Sequence, residues 1–335
     1  MQAHWSIALP RVAVCLAGCA GSPDGAKPGA DAGDSGAPED SSAPEHSGTP
    51  EDSGAPEDTG GPDIPDGYIP GESIFGNRDF IEYIPGELPI ILVAPHGGYL
   101  EPEDLPTIDT HGRDNNTQET TRETAAWLEL LTGKGPHIII NRLYCDKLNA
   151  ARDIDEAAGE HPDARLAWEE FHGFIEVAKA EITEVWGAGH YVDEHANGHT
   201  EGWNEVGLGV SPALLNGDDA GIIERCAGST VASLCGPGGV DMLELVRGET
   251  SLGGLLMDHG YLSVPSPEVP APGEGGFFYA GWNTWEHGSK YGGTIDATHM
   301  ENHWTFMVDD EREAYTLASA TALIDFMAAH YGFEL

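Results

Sequence analysis

Two short, uninterrupted apolar runs constrain the fold of this chain more than any other feature. Pro89-Ile-Ile-Leu-Val-Ala94 precedes Pro95-His96-Gly97-Gly98, and Gly135-Pro136-His137-Ile-Ile-Ile140 precedes Asn141-Arg142. Neither run alternates, so neither has a polar face to offer water. Such runs belong in strands covered on both sides. Between them, residues 117–131 have helical spacing and few breakers. Strand, helix and strand in that order predict a parallel pair joined by a crossover helix. The alternation continues. Pro162 to Trp186 reads as a long amphipathic helix with Leu166, Phe171, Phe174, Ile175, Ala178 and Ile182 on one side. Tyr191-Val192 reads as a strand ending at Asp193-Glu194-His195. Residues 205–210 read as a further strand, 241–259 as helical and 314–330 as a C-terminal helix. Residues 260–293 are rich in Gly, Pro and aromatics and read as surface loops. The expected fold is α/β, a mixed but mostly parallel sheet flanked by helices, preceded by a disordered tail.

The tail has its own signature. Val12-Ala-Val-Cys-Leu16-Ala17-Gly18-Cys19 is too short for a membrane span and suits the apolar region of a signal peptide. Leu16-Ala17-Gly18-Cys19 resembles a bacterial lipobox, which predicts export and a lipid anchor at Cys19 on the cell envelope. Pro38, Pro44, Pro50, Pro56 and Pro62 then recur every six residues without a recurring apolar side chain. A repeat with nothing to bury cannot offset its ordering entropy, so it is a spacer. The expected organisation is a signal peptide over 1–19, a disordered acidic linker over 20–70 and one catalytic domain over 71–335.

Charge settles several function classes. The chain carries 15 Lys+Arg against 57 Asp+Glu, a net charge of -42 over 335 residues. Residues 20–66 hold 12 of those acids and one Lys, which leaves 45 acids against 13 cations from residue 67 onward. The folded part is therefore itself strongly acidic. It lacks the basic face that phosphate recognition needs, so nucleic acid is excluded as a partner. An anionic membrane surface would repel it, which leaves the lipid anchor as its membrane contact. Cys226 and Cys235, nine apart in a Gly-rich segment, suit a local disulfide in an exported protein. The absence of a CxxC pair argues against a cysteine-built zinc site.

Histidine and acid supply the candidate chemistry. His96 and His195 each follow an expected strand, and His96 lies among glycines that allow close backbone approach. Two such histidines plus one acid would make a three-ligand hydrolytic site with an open position. The acid is Asp114 or Glu119, both near the start of the 117–131 helix. Arg142, Lys147 and Arg152 cluster after the second strand and would suit a carboxylated substrate. Glu301, at the end of another expected strand, would suit a general base.

These segments, in order, resemble the N-formylglutamate amidohydrolase family, a relative of the zinc carboxypeptidases. The matching pieces are Ala94-Pro95-His96-Gly97-Gly98, Asp114-Asn-Asn-Thr117-Gln-Glu119, Trp168-Glu-Glu-Phe-His172 and Val192-Asp193-Glu-His195-Ala-Asn-Gly-His199. Pro136-His-Ile-Ile-Ile-Asn-Arg-Leu143 with Lys147-Leu148, Arg247-Gly-Glu-Thr-Ser251-Leu-Gly-Gly-Leu-Leu256, Val264-Pro-Ser-Pro267, Glu286-His-Gly-Ser289 and Ile295-Asp-Ala-Thr-His-Met-Glu301 complete the set over roughly residues 90–330. The resemblance implies a zinc-carboxypeptidase-like α/β fold and one zinc ion held by His96, His195 and Asp114, with Glu119 as the other acid. It implies Glu301 as the base that also returns the proton to the amine, and Arg247 or Arg142 at the oxyanion. Arg152, with Arg142 and His199, would hold the substrate. The family's Asp-x-Asn-Arg element stands here as Asn149-Ala150-Ala151-Arg152. The implied activity is zinc-dependent hydrolysis of an N-acyl amino acid or peptide-type amide. The alternatives are an exported metallocarboxypeptidase acting on peptides or cell wall, and a binding module without catalysis.

Overall fold

Both apolar runs are strands at the centre of one sheet. The computed structural model describes residues 68–108 and 112–335. The signal-peptide reading, the anchor at Cys19 and the linker as far as residue 67 lie outside the described residues. The strands are β1 (Ile74–Phe75), β2 (Ile81–Ile84), β3 (Ile90–Ala94), β4 (His137–Asn141), β5 (Gly189–Asn197), β6 (Asn204–Gly207), β7 (Ser263–Val264) and β8 (Ile295–His303). The helices are α1 (Thr117–Thr132), α2 (Ile154–Ala158), α3 (Pro162–Trp186), α4 (Pro212–Leu215), α5 (Asp219–Glu224), α6 (Met242–Arg247), α7 (Leu252–Asp258), α8 (Trp282–His287) and α9 (Asp309–Tyr331). Sheet order is β1-β2-β4-β3-β5-β8-β6-β7. β4, β3, β5 and β8 are parallel, and β2 and β6 run antiparallel to β4 and β8. The fold is thus α/β with a mixed sheet, parallel at its centre, as expected. No described helix is long and apolar enough to cross a membrane.

The period of two along each strand separates two cores. Ile90, Leu92, Ile138 and Ile140 join Leu128 of α1 and Phe326 of α9 on one face. Ile91, Val93 and Ile139 join Phe171, Phe174 and Ile175 of α3 on the other. This two-sided burial is why β3 and β4 show no polar alternation. α3 starts with Pro162 behind the capping side chain of His161 and stops at Gly187, whose φ of 80° places it in the left-handed region. Leu166, expected on the buried side of α3, is 40% exposed; Ala164 and Ala167 occupy the buried positions instead. Small residues there let the helix lie close to the sheet.

Three other expectations change. β5 does not end before His195 but continues through it to Asn197, because β8 pairs with it residue for residue from Gly189 to Asn197. The helical stretch over 241–259 is two helices, interrupted where Ser251 caps α7. Residues 260–293 are not all loop, since they contain β7 and α8. The expected disulfide joins Cys226 and Cys235, and Cys145 is buried with its thiol donating to Gly112 O.

Chain path places a crevice. From β3 the chain passes through α1 to β4 on one side, then crosses through α3 to β5 on the other side of β3. Where successive connections leave a strand in opposite directions, the carboxyl ends of the strands flank a gap suited to ligands. On the α3 side of the sheet, β5 and β8 change character toward that gap. Tyr191 gives way to Asp193 and His195, and Ala297 to His299 and Glu301.

Candidate metal centre

His96, Asp114 and His195 converge at this gap, and their donor atoms all lie within 4.8 Å of one another. His96 stands just beyond β3, Asp114 in the segment leading to α1, and His195 near the end of β5. Asp114 Oδ2 lies 3.1 Å from His195 Nδ1 and 3.5 Å from His96 Nδ1. It also accepts from Ala196 N–H at 3.4 Å. Asp114 does not cap α1; that position belongs to Asn116, whose φ of 67° suits asparagine. Its carboxyl is freed for the histidines. Burial raises its pKa, but the two histidines outweigh burial and hold it well below the usual carboxylate range.

The surrounding hydrogen bonds decide which ring nitrogens face inward. Asn149 Oδ1 accepts from Ala151 N–H at 3.3 Å, so it is the oxygen of that amide, and it lies 2.7 Å from His96 Nε2. His96 Nε2 must then carry hydrogen, which leaves Nδ1 as a lone-pair donor. His195 Nε2 lies 3.1 Å from Asp193 Oδ2, and a carboxylate only accepts. Burial opposes charge on the His195 ring, but Asp193 and Asp114 raise its pKa well above the usual imidazole range, so Nδ1 carries a proton toward Asp114 until a metal ion takes its place. Two inward ring nitrogens and one carboxylate oxygen thus surround a point where a metal ion can replace a proton. A tetrahedral zinc ion with bonds of about 2.0–2.1 Å would set neighbouring donors about 3.3–3.4 Å apart, and the observed 3.1 and 3.5 Å bracket that. The residues fit a metal ion. His96 and Asp114 side chains keep 18% and 19% of their surface, so the centre is open to solvent on one side.

Behind these ligands lies a second row that sequence reasoning did not assign. Asp193 is fully buried and accepts from Tyr191 OH at 3.0 Å and Asn283 Nδ2 at 3.1 Å. Burial raises its pKa, yet His195 and His299 hold it well below the usual range. His299 Nε2 bonds Glu301 Oε1 at 3.1 Å. The signal for both residues was present in the period of two. Asp193 and His299 stand two positions before His195 and Glu301, so each shares a sheet face with its partner. Acceptors behind metal-binding histidines orient the rings and tune the ion.

Glu301 sits directly across from His195, and Glu205 of β6 directly across from Glu301. These three side chains form one row on the α3 side. Glu205 is completely buried, and burial first of all pushes its carboxyl up to about 7. It bonds His199 Nδ1 and Phe278 N–H, both at 2.6 Å. Gly207, Gly276 and Gly281 let the segment over 276–281 run against this row. A Cβ on Gly281 would meet the His299 ring at 3.0 Å, and one on Gly276 would meet His199 at 2.4 Å.

The remaining sequence candidates are elsewhere. Glu119 is not in the metal group; its position in the first turn of α1 directs it to Tyr99 OH at 2.7 Å. Arg142 is not at the centre, because its guanidinium donates to Asp79 O and lies over the Phe75 ring. Arg247 is drawn to Asp219, Leu215 O and Pro270 O among the helices after β6. Arg152 lines a surface depression with Ile108, Asp155, Glu156 and Gly159, and its side chain has no ion-pair partner among the described residues. Asn149, a departure from the family pattern in sequence, is the residue that sets the His96 tautomer.

No known family model matches the chain, and no curated protein matches it in sequence. Solved structures similar to it in fold include the following two. One is N-formylglutamate amidohydrolase from Ralstonia eutropha JMP134, at 12% identity, covering 73% of this chain and 93% of that one, with a TM-score of 0.46. The other is the gene product Atu2144 from Agrobacterium tumefaciens, at 13% identity, covering 72% and 89%, with a TM-score of 0.39.

Proposed function

We propose that the chain is a metal-dependent hydrolase of amide bonds, with one zinc ion held by His96, Asp114 and His195. The observation that carries this reading is the convergence of two inward-facing imidazole nitrogens and a carboxylate, with the rings oriented from behind by Asn149 and Asp193. Two imidazoles and one carboxylate with an open side are the donor set of hydrolytic zinc. The amide class rests on the ordered motifs from His96 to Glu301.

When bound, the ion polarises the scissile carbonyl and acidifies water. The chain's own residues do the rest. Asn149 and Asp193 hold hydrogen on the two outer nitrogens, so that Nδ1 of each ring is the one available to the ion. Glu301, opposite His195, takes the proton of the attacking water. His299 holds the Glu301 carboxylate in place through its Nε2. The Cys226–Cys235 disulfide supports work in an oxidising compartment outside the cytoplasm, where the lipobox reading would tether the protein.

Metal analysis of the purified chain, followed by hydrolysis of N-formyl and N-acyl amino acids and of peptides, tests the proposal. The expected result is about one ion per chain, with activity lost to a chelator and restored by zinc. Glu301→Gln should keep the ion and lose activity by about 10²–10⁴-fold. A chain without metal would sink the reading. A loaded chain that cleaves no amide would turn it into a binding module.

A further inference from the structure

We propose that His199 and Glu205 form a proton-donating pair that delivers a hydrogen to the leaving amine; this rests on the amide-hydrolase reading above. Glu205 has no exposed surface, yet it is a carboxylate placed beside another carboxylate, Glu301. A glutamine would satisfy Phe278 N–H equally well, so the backbone contact alone does not account for an acid there. Its other oxygen holds His199 Nδ1 at 2.6 Å. When Glu205 is ionised it only accepts, so in that state Nδ1 carries hydrogen and the working nitrogen is Nε2. Nε2 has no hydrogen-bond partner among the described residues, and the His199 side chain keeps 31% of its surface. A buried acid behind an imidazole with an open outer nitrogen is the arrangement of a general acid.

Position links the pair to the reacting centre. Glu205, Glu301 and His195 are successive partners across three strands. The Phe278 ring lies parallel to His199 at 5.4 Å and edge-on to His299 at 6.5 Å, so one aromatic ring spans the distance between His199 and the Glu301 partner. Gly276 packs against the His199 ring and holds it in that plane. Glu301 is a poorer final donor. It is buried and already bonded to His299, whereas His199 Nε2 is open.

The step balances as follows. Water adds to the carbonyl carbon and gives one proton to Glu301. The C–N bond breaks with its electron pair going to nitrogen, and that nitrogen takes the proton from His199 Nε2. His199 is left neutral with Nδ1–H on Glu205; Glu301 then releases its proton to solvent and Nε2 takes one from solvent, which restores both residues.

The test compares, on the full chain with its metal, an N-acyl amino-acid amide and the matching p-nitrophenyl ester, whose phenolate leaves without a proton. His199→Gln should lower kcat on the amide by about 10²-fold or more and on the ester far less, with metal content unchanged. Glu205→Gln should show the same bias to a smaller degree. Equal losses on both substrates, or no loss on either, would overturn the pair while leaving the hydrolase reading intact. Wild-type protein needs no variant to be informative. Across anilides of graded amine basicity its rate should change little, and a steep dependence would also overturn the pair. Wild-type protein that cleaves neither substrate overturns both readings.

Discussion

Replacing Asn149 with leucine probes the metal centre without touching a ligand. Leucine keeps the volume and removes the acceptor that holds hydrogen on His96 Nε2. That hydrogen can then move to Nδ1, where Asp114 Oδ2, 3.5 Å away, is ready to accept it. The inward nitrogen would be occupied by a proton that the ion must displace. Loss of an acceptor behind a ligating histidine typically costs about 10–100-fold in metal affinity, or about 1.4–2.7 kcal/mol. Asn149→Leu also strands Ala151 N–H, a separate stability cost of about 1–3 kcal/mol. The two effects part cleanly in experiment. Zinc affinity is measured by competition with a chelator of known strength, and stability by denaturant unfolding of the metal-free protein. Asn149→Asp restores an acceptor and should recover most of the affinity. If Asn149→Leu bound zinc as tightly as the parent, the tautomer argument would be refuted.

Three further outcomes are expected. Phe171 is fully buried between α3 and the sheet, so Phe171→Ala should cost about 3–5 kcal/mol, read from the denaturant midpoint; a loss under 1 kcal/mol would contradict the two-core description. His137 accepts from Gly86 N–H, and burial pushes its pKa down to about 4. Between about 6.5 and 4 the unfolded chain binds more protons, so this stability is complete above pH 6.5 and falls by about 3 kcal/mol as pH drops to 4. The difference in unfolding free energy between parent and His137→Gln should therefore change across that window, and a constant difference would count against a buried neutral ring. Gly281→Ala places a methyl group 3.0 Å from His299 and should reduce turnover while metal content, measured alongside, stays near one ion per chain. Unchanged turnover would show that His299 has room to move.

Much of the fold was legible because burial on two faces leaves its mark on composition. The runs at 90–94 and 137–141 read as buried strands and are central ones, and α3 starts at Pro162 behind the His161 cap and stops at Gly187. Leu166 was misjudged because spacing alone does not distinguish a large side chain at a helix edge from the alanines that face the sheet. The break in 241–259 went unread because its cause is a serine cap with local hydrogen bonds, which a window of apolar spacing averages away.

The chemistry divides differently. Sequence by itself determined that His96 follows a strand and that His195 lies toward the carboxyl end of another with an acid nearby, because apolar runs mark strands and period fixes which face a residue takes. Tertiary structure alone decided between Asp114 and Glu119, since both sit near one helix start and only the loop path turns Asp114 toward the histidines. It also decided that Arg142 and Arg247 serve other partners, because ion pairs and backbone carbonyls far apart in sequence capture them. The row from His195 through Glu301 to Glu205 exists only once β5, β8 and β6 lie side by side. Register between strands is set by packing over the whole sheet, and no local pattern carries it.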